Sequence, residues 1–148
     1  MPGQNVSPAP HPAPPLAPYL RILHRTVSRS YGIALGPDGS LYVADSANHR
    51  LRTVSMTGDV RTFAVNGAPG HKDGAGGTAQ FFYPVGIAVD SDGTAFVADR
   101  ANHRIRKVTS KGTVSTLAGS GRNAVVDGKG QAACFAWPNS ITLVCARL

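Results

Sequence analysis

The chain has 148 residues and a formal net charge of +7, an excess that favours anionic partners without identifying one. All of its eight acidic residues are Asp and it contains 17 Gly, a composition that disfavours helices and predicts short strands joined by many turns. No apolar run approaches the roughly 20 residues of a membrane-spanning helix, and the N-terminus lacks the pattern of a secretory signal. We therefore expect no membrane association and, by default, a cytoplasmic location.

The N-terminal segment differs in composition from the rest of the chain. Residues 1–18 read "MPGQNVSPAPHPAPPLAP", with Pro at nearly every third position and few side chains able to pack. Such a segment is predicted to be disordered or polyproline-like. We assign residues 1–30 to this disordered Pro-rich segment and residues 31–148 to the folded part.

The folded part is an internal repeat. Residues 32–85 align with residues 86–139 without a gap, and about 25 of the 54 positions are identical. A third copy starts with "SITLV" at residue 140, after which "CARL" replaces the turn and strand that the repeat would supply. Self-similarity at a fixed period is the signature of a repeat architecture.

Each copy carries four strand signals in succession. In the second copy the strands are "GIAVD", "TAFVAD", "HRIRKVT" and "TVSTLAG", separated by Asp-Gly or Gly turns. This pattern predicts a four-stranded antiparallel meander. Such a sheet has apolar side chains on both faces, so it needs neighbours on both sides, and radial stacking of blades in a β-propeller provides them.

These signals divide the folded part into blades and loops. The predicted segments are a blade at 31–67, a loop at 68–85, a blade at 86–121, a loop at 122–139 and the start of a third blade at 140–148. The fold class expected is all-β, an incomplete propeller that is a fragment, a truncated product or a subunit that completes its ring with other copies.

The repeat resembles the NHL repeat, named for an Asn-His-Leu signature that here reads Asn-His-Arg at residues 48–50 and 102–104. The resemblance covers roughly residues 31–144 and includes "GIAVD", "FVAD", "NHRIRKV" and the loop pattern Asp-Gly-x-Gly-x-x-Ala-x-Phe. It implies a β-propeller, usually of six blades, that serves mainly as a platform for protein binding and in some members for RNA. A few related propellers are enzymes with a metal in the central channel.

The unit Asp-x-x-Asn-His-Arg combines groups that perform acid–base or metal chemistry. It is repeated in both copies, however, whereas a catalytic site needs asymmetry among blades. We predict that the Asp residues accept turn N–H groups and that the Asn residues occupy left-handed turn positions. The residues assigned this structural role are Asp45, Asn48, His49, Asp99, Asn102 and His103.

Other catalytic and cofactor patterns are not supported. Asp90, near the expected axis, has Gly36 as its equivalent in the first copy, so converging metal ligands are not expected. The Gly-rich loops lack P-loop spacing, no G-x-S-x-G elbow occurs, and Cys134 and Cys145 have no metal-ligand spacing. We predict no catalytic residue, no metal and no cofactor.

A basic feature recurs with the repeat period and is the candidate binding site. If stacked blades align these residues in a curved row, the row could follow a phosphate backbone. Alternatively, the Arg stems pack between sheets and pair with turn Asp residues. The residues are Arg50, Arg52, Arg104, Arg106 and Lys107.

The leading functional hypothesis is a non-enzymatic interaction module with a protein partner. Single-stranded RNA binding through the basic row is the alternative, and a fragment of a propeller hydrolase or lyase is the second alternative. A homo-oligomer that completes the propeller is a further candidate assembly.

Overall fold

The structure is a computed structural model that describes residues 31–144. The predicted disordered segment at 1–30 lies outside the described residues, as do residues 145–148 and with them Cys145.

Within residues 31–144, eight strands form two separate four-stranded sheets, and in each sheet every strand pairs antiparallel with the next one along the chain. We call β1–β4 blade 1 and β5–β8 blade 2. The prediction of an all-β chain made of four-stranded meanders is confirmed. The strands are β1 Gly32–Leu35, β2 Leu41–Asp45, β3 Arg50–Val54, β4 Val60–Ala64, β5 Pro84–Val89, β6 Ala95–Asp99, β7 Arg104–Val108 and β8 Val114–Ala118.

The connections explain why these short segments can fold back so tightly. The first turn of each blade contains a glycine at positive φ, Gly39 at 81° and Gly93 at 82°, a conformation that residues with a Cβ seldom adopt. The second connection of each blade is one turn of 3-10 helix, Ser46–Asn48 in blade 1 and Arg100–Asn102 in blade 2. The signature residues therefore lie in a tight turn.

The larger apolar cluster lies between the blades. It combines the face of blade 1 that points toward blade 2 with the face of blade 2 that points back. Neither blade could bury these side chains alone, as the sequence pattern predicts. The buried members are Tyr42, Ala44, Leu51, Ala64, Val65, Ala79, Phe81, Ile87, Ala95, Val97, Val108 and Val114.

The first strand of each blade, β1 or β5, is its inner strand, and the two inner strands approach each other closely at a glycine. A Cβ on Gly32 would strike the carbonyl oxygen of Val85, so β1 and β5 pack backbone against backbone. A Cβ on Gly86 would lie 2.9 Å from the Cα of Ser140, so the chain after blade 2 follows an equivalent path. Residues 139–144 are not paired as a strand, although the repeat predicts a third inner strand from residue 140.

Candidate functional site

In blade 2 the signature aspartate is a buried hub. Asp99 is fully buried; its Oδ1 accepts the N–H of Phe82 at 2.8 Å, and its Oδ2 accepts Nδ2 of Asn102 at 2.8 Å. Burial raises the pKa of Asp99, and these hydrogen bonds and the nearby Arg106 oppose that rise. Asp99 thus accepts an N–H of its own turn, from the Asn102 side chain, and a backbone N–H from the preceding loop; in blade 1, Nδ2 of Asn48 donates to both carboxylate oxygens of Asp45, at 3.0 and 3.1 Å.

The signature histidines, and not the asparagines, occupy the left-handed positions. His49 has φ 52° and His103 has φ 54°, which corrects the expectation for Asn48 and Asn102. Nδ1 of His49 accepts the N–H of Tyr83 at 3.2 Å, and Nδ1 of His103 accepts the N–H of Trp137 at 3.2 Å. Each histidine thus anchors the chain just before the next inner strand.

This geometry predicts that stability falls as the pH is lowered through the histidine range. Burial lowers the pKa of His49 from 6.5, and the Asp45 carboxylate opposes this only in part. The unfolded chain therefore binds a proton first, so the stabilising contribution is complete above the unfolded pKa and is lost as the pH falls toward the lower folded pKa. We therefore expect the free energy of unfolding, measured in urea, to be lower at about pH 5.5 than at about pH 7.5.

His49→Asn provides the control for that experiment, because Asn tolerates a left-handed backbone and does not titrate. The free energy of unfolding of this variant should depend less on pH than that of the wild type. His71 contributes to the remainder, because burial, Arg104 and Arg106 lower its pKa as well. A variant with the full wild-type dependence would contradict the role given to His49.

Arg106 joins the two blades at the interface between them, which we call the joint. It is fully buried and donates to Oδ2 of Asp99 at 2.7 Å and to Oδ1 of Asp73 at 2.6 Å. It also donates to the carbonyl oxygens of Gln80 and Lys72, each at 3.0 Å. Three of these four acceptors lie in the loop that follows blade 1, so a side chain of blade 2 holds that loop.

Asp73 accepts hydrogen bonds from two strands of blade 2, β7 and β8. Besides Arg106, it accepts the N–H of Thr116 at 3.0 Å and the Thr116 hydroxyl at 3.1 Å. Burial alone would raise the pKa of Asp73, but these donors outweigh it and lower the pKa. We call Asp73, Arg106 and Thr116 the clasp.

Backbone hydrogen bonds reinforce the clasp. Gly74 and Val114 exchange both of their N–H···O bonds, at 3.0 and 2.8 Å, and the N–H of Gly76 donates to Gly112 at 3.1 Å. The loop after blade 1 therefore extends the outer edge of blade 2 at β8.

The structure does not bring the five basic candidates onto one surface. Arg106 is buried, and Lys107 is exposed on the opposite face of β7, because neighbouring strand residues alternate. Arg104 donates to the carbonyl oxygens of Asn102 and Ser120, at 3.1 and 2.7 Å. In blade 1, Arg50 donates to Asn48 at 3.2 Å and Arg52 to the Thr62 hydroxyl at 3.3 Å. For Arg106 the ion-pairing alternative describes the contacts.

Blade 2 and the loop that follows it carry several exposed apolar side chains. Of the equivalent residues on blade 1 and its loop, Phe63 and Tyr83 are half-buried, whereas His71 and Lys72 are exposed and polar. We call the exposed set the distal surface. Its members, with their exposed fractions, are Leu117 47%, Val125 84%, Val126 51% and Trp137 45%.

An open groove of about 640 Å³ lies beside the starts of the inner strands. Arg100 forms part of it and also stacks 5.3 Å from the ring centre of Trp137. The groove is lined by Tyr31, Tyr83, Val85, Arg100, Asn139 and Ser140.

Two further findings concern residues 31–144 only. In this range no three His, Cys, Asp or Glu side chains are grouped as a metal ion would require. Nor does this part of the chain contain a helix long and apolar enough to cross a bilayer.

Four-stranded blades with a core between them define a repeat protein of the β-propeller class. The NHL repeat family matches residues 32–53 and 81–108. The chain belongs to this family, and about two repeats are present.

Relatives share the repeat over a small part of their length. The chain is 34% identical over 126 residues, 76% of its length, to Protein SUPPRESSOR OF QUENCHING 1, chloroplastic, of Arabidopsis thaliana. It is 37% identical over 83 residues, 55% of its length, to NHL repeat-containing protein 2 of Bos taurus. It spans only 12% and 11% of these two proteins.

The fold is similar to that of an auxiliary nutrient binding protein from Bacteroides thetaiotaomicron, with a TM-score of 0.69. The match covers 78% of this chain and 32% of that one at 24% identity. This likeness concerns the fold alone.

Proposed function

We propose that this chain is a non-enzymatic interaction module that binds a protein partner. The observation that carries the proposal is how the signature side chains are used. Asp99, Asn102 and His103 each bind groups of the protein itself, so their polar atoms serve the architecture. A catalytic role would need at least one of them to face a substrate.

The distal surface supplies the binding area in this proposal. An exposed apolar patch is typical of a protein interaction site, and in this proposal the four side chains form one. The exposed cations Arg122 and Lys129 lie in the same loop as Val125 and Val126. A partner with an apolar centre and an acidic rim would complement both features.

A matched pair of variants tests the proposal. Val126→Asp places a charge within the distal surface, and Ser110→Asp places the same charge on the exposed β7–β8 turn. The full chain, immobilised, should retain a defined protein from an extract of its own source that Val126→Asp loses and Ser110→Asp keeps. Identical retention by both variants would contradict the proposal. So would turnover of an ester or lactone by the purified chain that one polar substitution abolishes, which would favour a propeller hydrolase or lyase.

Single-stranded RNA binding is the second candidate, favoured by the net charge of +7 and by the Lys and Arg side chains of residues 31–144, which are all partly or fully exposed except for Arg106. It predicts that affinity for a uridine 20-mer falls steeply with salt and weakens when Arg50 and Arg104 are both replaced by Ala. Because these two arginines also bind backbone carbonyls, unfolding of the double variant is measured in parallel. Affinity that is unchanged in a folded double variant would remove this candidate.

A further inference from the structure

The repeat places a second set of clasp residues at the two outer sides of the blade pair. Arg52 and Thr62 of blade 1 are equivalent to Arg106 and Thr116 of blade 2, and Asp127 of the second loop is equivalent to Asp73. The strand register is equivalent as well: Arg52 pairs with Thr62 as Arg106 pairs with Thr116. Both halves of a further clasp are therefore present, one on each outer side.

In the joint, Arg106 forms an ion pair with Asp73. Within residues 31–144, both ion pairs belong to Arg106, and neither Arg52 nor Asp127 forms one. Arg52 is half-buried and donates to the Thr62 hydroxyl, while Thr62 and Asp127 are exposed. In blade 2, by contrast, Arg106 and Thr116 both donate to the Asp73 carboxylate.

We propose that the chain associates head to tail with a second copy of itself. Asp127 of one copy accepts hydrogen bonds from Arg52 and Thr62 of the next, as Asp73 accepts them from Arg106 and Thr116 within the chain. This rests on the proposed function as a protein-binding module and names the partner. The contact joins two different surfaces, so copies can be added until a ring closes.

Apolar contacts at both sides favour the same pairing. On blade 1, Ile33 is 51% exposed, whereas its equivalent Ile87 in the joint is 5% exposed. On blade 2, Leu117 and Phe135 lack the cover that blade 2 gives to Phe63 and Phe81. Val43 and Val54, on the face of blade 1 that carries Arg52, have no exposed surface, so this part of the face is already covered and takes no part in the contact. The docking contact is therefore expected at the exposed Thr62 with Arg52, and along β1.

The test is the absolute mass of the full chain by light scattering after gel filtration, over a range of concentrations. The wild type should exceed the monomer mass and grow with concentration. Asp127→Arg reverses the charge of an exposed loop residue and should weaken association about tenfold or more. Thr62→Asp should do the same, because it offers Arg52 a carboxylate within its own chain. The control is Asp59→Arg, which makes the same charge change at a turn residue outside both halves.

A mixture separates loss of the contact from damage to the fold. Asp127→Arg keeps an intact Arg52–Thr62 half, and Thr62→Asp keeps an intact Asp127. Equal amounts of the two variants should therefore associate to at least a heterodimer, although each alone is monomeric. A wild type that stays monomeric at all concentrations overturns the inference. Equal weakening by Asp59→Arg, or a mixture that stays monomeric, also overturns it.

These outcomes are distinct from those for the proposed function. Selective loss of a retained protein in Val126→Asp, together with a monomeric wild type, would keep the interaction module and discard self-association. Self-association without any such loss would leave the second copy as the partner.

Discussion

Replacement of Arg106 by Met is expected to lower the free energy of unfolding by about 3–5 kcal/mol, because it leaves a buried carboxylate without its counter-charge. Asp99 is fully buried and lies 2.7 Å from the guanidinium. The same substitution releases Asp73 and the two loop carbonyls, so the loop after blade 1 loses its principal anchor. Urea unfolding at neutral pH measures the loss.

Arg52→Met is the matched control, since it removes the equivalent side chain of blade 1. Arg52 is half-buried and has one hydrogen bond, to Thr62 at 3.3 Å, so we expect a loss of about 1 kcal/mol or less. If Arg106→Met does not fold, the double variant Arg106→Met with Asp99→Asn should restore a cooperative transition, because it removes the unpaired charge as well. Equal losses in the two single variants would contradict the clasp.

Replacement of Phe81 by Ala is expected to cost about 3–5 kcal/mol, the usual range for deleting a fully buried aromatic ring. Phe81 has no exposed surface, lies in the apolar cluster shared by the blades and has the Arg106 guanidinium 5.2 Å from its ring centre. The cavity would therefore open between the blades and beneath the clasp. Thermal or urea unfolding measures this loss.

Phe135→Ala is the corresponding change in the second loop. Phe135 is half-buried, so a loss of about 1–2 kcal/mol is expected from the smaller apolar area. A cost for Phe135→Ala as large as for Phe81→Ala would mean that the second loop is covered as completely as the first. That result would contradict the inference that the second loop lacks the cover that blade 2 gives to the first.

The sequence predicted the fold well because its signals are local. The strands and their turns follow from short apolar runs and from glycines such as Gly39 and Gly93, which sit at positive φ as the Asp-Gly turns require. The 54-residue period then implied neighbouring blades, and the shared apolar cluster between them is the physical result.

The site was predicted less well because its partners are distant in the chain. Asp73 precedes Arg106 by 33 residues and meets it only when the blades pack. The recurrence of Asp73 at Asp127, and of Thr62 at Thr116, was the available signal. Strand alternation is a second signal, because Arg106 and Lys107 are consecutive in β7 and must point to opposite faces of the sheet.

The left-handed turn position was assigned to the wrong residue. General preference favours Asn there, but the structure places His49 and His103 at it. The reason is a tertiary contact, since each imidazole Nδ1 then meets the N–H of a residue 34 positions further along. Local propensity carries no information about that partner.

The central claim is that the two blades form one cooperative unit joined at the clasp, and native-state hydrogen exchange tests it most directly. The amides of Gly74 and Val114, which bond to each other across the joint, are compared with amides at the centres of β2 and β6. We expect all of these amides to exchange with about the free energy of global unfolding. Fast exchange at Gly74 and Val114 beside slow exchange within each sheet would contradict the claim.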